Sequence, residues 1–222
     1  MFSNWQGSPF THDELAAAAE ATRDYTVGGH DRSALFAVIY DINLSAQNDG
    51  RATLDGAPDL PADKSTLRPD ELAARLMLSS EDYVLDADAL DHLDDVFSVV
   101  STARTVCIVL AVIALFGCVL IAATKGRASA GKTIMASPVI VLLLFAALAL
   151  WVVIDFNSFF TALHSLFFTE GTWTFSADSL LIRMYPQGFW VGMGVIWLAT
   201  TAASCIICLI LGRLIKGKRA HG

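Results

Sequence analysis

Thr105-Val-Cys-Ile-Val-Leu-Ala-Val-Ile-Ala-Leu-Phe-Gly-Cys-Val-Leu-Ile-Ala-Ala-Thr124 carries no charge, and Arg104 and Lys125 close it at either end. As a helix it is long enough to cross a hydrocarbon core of about 30 Å, which takes roughly 20 residues. Lipid offers no partner to an unpaired backbone amide, so helix is the form such a stretch adopts there. Two other stretches repeat the pattern. Thr133 to Ile154 is uncharged between Lys132 and Asp155, and Met184 to Gly212 is uncharged between Arg183 and Arg213, with its apolar part starting near Phe189. The sequence therefore predicts an all-α membrane protein with transmembrane helices at 105–124, 133–154 and 189–212.

Composition points the same way. Of 222 residues, 55% are apolar and only 17% charged, against about a quarter charged in ordinary globular chains. The net charge of −7 argues against a nucleic-acid partner, because such proteins present a basic face. Four cysteines in a chain of this length make no disulfide framework. Orientation follows from the short connections. The 125–132 connection carries Lys125, Arg127 and Lys132 and no acid, and the tail 213–222 adds Arg213, Lys216, Lys218 and Arg219. The positive-inside rule makes both cytoplasmic, leaving residues 1–104 and 155–188 outside.

Residues 1–104 are a different material, with seven basic and nineteen acidic side chains for a net −12. They read as a small, mostly helical extracytoplasmic domain. Thr11 and Glu14 have the spacing of a capping box, an Ala-rich run follows to Tyr25, and Gly28-Gly29 stops it. A second helix is expected over Ala34–Leu44, a loop over Gln47–Lys64, and a third helix from Pro69 through Leu78. From about Asp86 the chain reads as helix running unbroken into the first span. Nothing before this acidic module resembles a signal peptide or an anchor, which leads us to expect a fourth, N-terminal transmembrane helix upstream of Met1, with N-tail translocation driven by the first span as the alternative.

Five histidines are the candidates for chemistry. His221 falls in the basic tail, His12 in the first turn of a surface helix and His30 after a Gly-Gly turn, all reading as solvated or loop positions. His92 lies in Asp91-His-Leu-Asp-Asp95 just before the first span. Helical spacing sets Asp88 at i−4 and Asp95 at i+3 on its face, and a carboxylate on one ring nitrogen leaves the other as a base. A histidine among solvated surface acids is the bland alternative. His164 sits in Phe159-Phe-Thr-Ala-Leu-His-Ser-Leu-Phe-Phe168, where Phe160 and Phe168 share its helical stripe. An imidazole at the membrane boundary is costly without a partner, and ionisable groups there are functional candidates. A backbone-bonded or snorkelling histidine is the competing explanation. Asp178 and Arg183 either pair or stand as plain loop charges. Trp173, Phe175, Tyr185, Phe189 and Trp190 read as interface aromatics, and Pro186 with Gly188 as a break before the third span. Cys205 and Cys208 have redox spacing but lie within that span, where thiols act as small apolar residues.

The string Phe160-Thr-Ala-Leu-His164-Ser-Leu-Phe-Phe168, followed by Trp173, Asp178-Ser-Leu-Leu-Ile182, Tyr185-Pro186 and Phe189-Trp190, resembles the signature of the bacterial membrane family that includes the lipoprotein intramolecular transacylases. His92-Leu-Asp-Asp95-Val96 resembles that family's His-Met-x-Asp-Val element, and Thr11-His-Asp-Glu-Leu15 with Tyr25 its early extracytoplasmic helix. Ala89 stands where the family carries an acid. The resemblance implies four transmembrane helices, with the outer domain between the first and second. It also implies an activity: an O-linked acyl chain on the N-terminal diacylglyceryl cysteine of a lipoprotein moves to that cysteine's amino group. The implied site is His92 and His164 as catalytic residues, supported by Asp95, Trp173, Asp178 and Tyr185, in contact with the lipid bilayer and with no cofactor or metal. Two other readings stand beside it. One is a non-catalytic envelope protein that binds a partner through its acidic outer domain; the other is a haem or metal protein using the same two histidines as ligands.

Overall fold

The computed structural model describes residues 7–63 and 66–217, so Lys64 and the tail residues Lys218, Arg219 and His221 lie outside the described residues. The chain is all-helical, 75% helix, with no strand among the described residues. Among the described residues eight α-helices follow in order: α1 His12–Val27, α2 Arg32–Asn48, α3 Pro69–Met77, α4 Ala87–Lys125, α5 Arg127–Ile154, α6 Phe156–Phe167, α7 Leu180–Met184 and α8 Gln187–Lys216. Three of them, α4, α5 and α8, are long and apolar enough to cross a membrane. The protein is therefore a multi-pass membrane protein by its helices.

Two compact units divide the chain, one of residues 1–102 with 167–191, the other of 103–166 with 192–222. In the first, the N-terminal turn of α1 is closed as its sequence requires. The Thr11 hydroxyl accepts from the Glu14 amide at 3.3 Å, while the Glu14 carboxylate accepts from the Thr11 amide at 2.7 Å. Glu14 also takes a two-pronged bond from Arg51, both N–O distances being 2.8 Å. Burial by itself would raise the Glu14 carboxyl. The bonds from Arg51, Ser45 and Thr11 outweigh it and hold the group at about 2, below its ordinary 4.5. The stop after α1 works differently from the left-handed glycine cap that Gly28-Gly29 suggests. Gly28 has φ −106°, and a Cβ there would lie 2.6 Å from the Asp24 carbonyl oxygen, so close approach is what demands glycine. The positive φ falls on His30 instead, at 55°.

The second helix is longer than its apolar run implies, because the Asp31 carboxylate caps it by accepting from the Ser33 and Ala34 amides. Leu15, Leu35, Ile39, Tyr40, Leu76, Tyr83, Leu85, Leu90 and Leu93 form the core of this unit. Leu180, Leu181 and Met184 of α7 join the same core, so residues after the second span are built into the unit formed mainly by the N-terminal region. Asn43 secures the centre by donating to the carbonyls of Ile39 and Tyr83 at 2.8 and 2.9 Å.

In the second unit the apolar side chains point outward, as they must in a hydrocarbon solvent: Phe116, Ile140 and Val153 are 68%, 70% and 82% exposed. The expected 125–132 connection is almost entirely helical. Gly126, at φ 83°, is the single residue between α4 and α5. Likewise Gly188 lies inside the first turn of α8 rather than ahead of it, the break falling at Pro186. Where α5 meets α8, a Cβ on Gly131 would lie 2.5 Å from the Gly212 carbonyl oxygen, so the two backbones touch through glycines.

Candidate active site

His92 occupies the inward face of α4 beside Ala89 and Leu93, and its residue is 8% exposed. Helical geometry puts it there: positions 89, 92 and 93 form one stripe, and that stripe faces the core of the first unit. The imidazole meets two rings from the segment after α6. Phe168 lies 4.8 Å away at 61°, and Phe175 5.5 Å away at 55°. Asp88, Asp91 and Asp95 are exposed, so the acids that share the helix with His92 line its solvent side.

That segment is held in place by three further ties. Arg183, only 4% exposed, donates to the Gly7 carbonyl at 3.1 Å, to Asp178 at 3.2 Å and to Asp82 at 3.4 Å. Asp178 and Arg183 are thus a pair, and the pair is part of a larger clamp. The Tyr185 hydroxyl donates to the Ala19 carbonyl of α1 at 2.7 Å. Burial pushes that hydroxyl up to about 12, so it remains a donor across the physiological range. The Tyr185 carbonyl in turn accepts from the Trp190 indole at 3.0 Å. Trp173 is half-buried on the same segment. Asp178 and Tyr185 therefore anchor the strip of chain that carries Phe168 and Phe175.

His164 is built by α6, in the second unit. Its Nδ1 lies 2.9 Å from the Phe160 carbonyl oxygen, one turn back, and its ring stacks on Phe160 at 3.9 Å, which in turn stacks on Phe156 at 5.7 Å. A carbonyl only accepts, so Nδ1 carries the proton and the lone pair resides on Nε2. Desolvation by burial lowers the imidazole below its ordinary 6.5, and the Phe160 carbonyl pulls the other way with less effect. Nε2 is thus the basic nitrogen of His164, on a ring whose charged form burial disfavours.

The structure also shows a cluster that spacing did not single out. The His30 ring is sandwiched between Tyr25 at 4.2 Å and Phe97 at 4.0 Å, nearly parallel to both, so it is no plain loop residue. Its Nε2 lies 3.5 Å from Asp94, which also accepts from the Tyr25 hydroxyl and from Arg32 at 2.9 Å. The engaged carboxylate of the Asp94-Asp95 pair is therefore Asp94. Only the i,i+3 spacing of Asp94 and Phe97 hinted at this, since Tyr25 arrives from α1 and His30 from the connection that follows it. Among the described residues, no three His, Cys, Asp or Glu side chains are grouped to hold a metal ion.

The family described as lipoprotein intramolecular transacylase Lit matches residues 70–190, the portion that contains His92, Phe168, Phe175, Arg183, Tyr185 and His164. No curated protein and no solved structure matches the chain.

Proposed function

The chain belongs to the lipoprotein intramolecular transacylase family, and on that premise we propose that it moves an O-linked acyl chain to the amino group of a lipoprotein's N-terminal diacylglyceryl cysteine, using His164 as the base and His92 as its partner. Acyl transfer within a lipoprotein is the activity type of the family. The observation that carries the assignment of the base is the His164–Phe160 bond, which fixes the proton on Nδ1 and makes Nε2 the ring's lone-pair nitrogen.

The reaction balances without a cofactor. The substrate's ammonium group releases one proton to water, and as the resulting amine attacks the ester carbonyl, Nε2 of His164 takes a second proton from the attacking nitrogen. A C–N bond forms, the tetrahedral intermediate collapses, and the C–O bond to the glyceryl oxygen breaks. That oxygen leaves as an alcohol, with its proton supplied from the acid form of the histidine. His92 is assigned to donate a hydrogen bond to the oxyanion. Nucleophile and acyl donor are already tethered in one molecule, so positioning them replaces an encounter between two.

Support for pairing the two histidines comes from the family, whose matched portion, residues 70–190, contains both. The polarity of the basic connections assigns the acidic N-terminal module and the segment after the second span to the outer side of the membrane, and the C-terminus to the cytoplasm. The test is mass spectrometry of N-terminal lipopeptides from cells with and without the gene. A lyso-form bearing an N-linked acyl chain is expected only with it, and an acylation pattern unchanged by the gene refutes the proposal.

A further inference from the structure

We propose that Arg213 and Lys216, where α8 passes α5, hold the phosphate of an anionic glycerophospholipid. A cavity of about 660 Å³ opens there, lined by Met135, Arg213, Lys216 and Gly217. Three residues apart on α8, the two cations share one face. The glycine contact shapes the place. A Cβ at Gly131 would lie 2.8 Å from the Lys216 Cβ, so the lysine stem lies over bare α5 backbone and the start of its side chain is fixed beside the cavity.

Charge supplies the second line of argument. The unit made of residues 103–166 and 192–222 contains a single Asp or Glu, Asp155. Asp155 follows the last residue of α5, whereas Lys125, Arg127, Lys132, Arg213 and Lys216 gather at the other end of the spans. Twenty-eight residues of helix separate those ends by about 42 Å. Asp155 is several Debye lengths from them. The counter-charge for this end must come from outside the unit, and a membrane leaflet presents it as phosphate diesters.

The cavity's walls favour a lipid over a soluble anion. Met135 gives it an apolar side, and Leu211 and Leu214, flanking Arg213 on α8, are 48% and 69% exposed. A headgroup seated on the two cations has its acyl chains continue along this apolar surface, whereas inorganic phosphate makes no use of it. The inference depends on neither the orientation of the chain nor its activity.

Native mass spectrometry of the full chain in mixed phosphatidylglycerol and phosphatidylcholine nanodiscs tests the proposal. Wild type is expected to retain one phosphatidylglycerol about twenty-five-fold in preference to phosphatidylcholine, taking a factor of roughly five for each cation. R213Q/K216Q loses that preference, whereas K125Q/R127Q, which alters the same helix ends outside the cavity, keeps it. Equal retention of the two lipids by wild type overturns the proposal, as does equal loss in the two double variants. Displacement of the retained lipid by millimolar inorganic phosphate overturns the lipid assignment in favour of a soluble anion. The R213K/K216R exchange preserves charge and is expected to retain selectivity, which separates loss of the site from loss of folding.

Discussion

Replacing Arg183 with Met keeps most of the apolar stem and removes the guanidinium, so its effect measures the clamp that holds the strip carrying Phe168 and Phe175. Three bonds are lost, and they are unequal. The Gly7 carbonyl loses a donor, at about 1 kcal/mol. Asp82 is left with 24% of its side chain exposed, and a half-desolvated carboxylate without its cation costs about 1–2 kcal/mol. Asp178 is 78% exposed, returns to water and contributes under about 1 kcal/mol. The sum is about 3 kcal/mol, at the low end for a broken buried ion pair. For a chain of this size that lowers the unfolding midpoint by about 6–12 °C. Thermal unfolding of the full chain in detergent, followed by tryptophan fluorescence at a fixed scan rate, reads it. Asp178→Asn is expected to lower the midpoint by no more than about 4 °C. An Arg183→Met midpoint within 2 °C of wild type, or an equal loss in Asp178→Asn, refutes the reasoning.

Other outcomes follow from the remaining charged and aromatic contacts. Glu14 is held at about 2 in the fold, below its ordinary 4.5, so its contribution is fully present above the higher value and lost as pH falls through the lower. Arg51→Met is therefore less stable than wild type at pH 7, and the gap in midpoint narrows as pH falls from 5 towards 2; a constant gap contradicts the assignment. His30→Ala removes two stacked contacts worth about 1 kcal/mol each, while Ala at a positive φ adds strain. A loss of about 2–3 kcal/mol is expected, and midpoints indistinguishable from wild type count against the cluster. His164 is lowered below 6.5, so the loss of rate that belongs to the base lies at pH values below that figure, beneath the substrate amine's own ionisation at about 8. A further acid limb above pH 7, once the amine's titration is divided out, argues against His164 as the base.

The three spans were legible because hydrocarbon imposes one simple demand: about twenty uncharged residues in helix. The Thr11–Glu14 box was equally legible, since both partners lie within one turn. What sequence could not convey was contact between distant segments. Asp94 and Asp95 are neighbours, and only packing of Tyr25, His30 and Arg32 against α4 decides that Asp94 is the engaged one. In the same way Asp178 and Arg183 are five residues apart, but the third and fourth members of their clamp, Gly7 and Asp82, come from far along the chain. His164 was visible as an odd imidazole among aromatics. Its tautomer became visible only with the Phe160 carbonyl one helical turn away.

The most direct test of the proposed chemistry follows a synthetic diacylglyceryl lipopeptide by mass spectrometry after incubation with the full chain in a membrane mimic. Wild type is compared with His92→Ala, His164→Ala and the double variant. Each single change is expected to cut formation of the N-acylated lyso product by about 10²–10⁴-fold, and the double change to fall no further than the worse single, as groups acting in one step do. Conversion at the wild-type rate by either single variant contradicts the account.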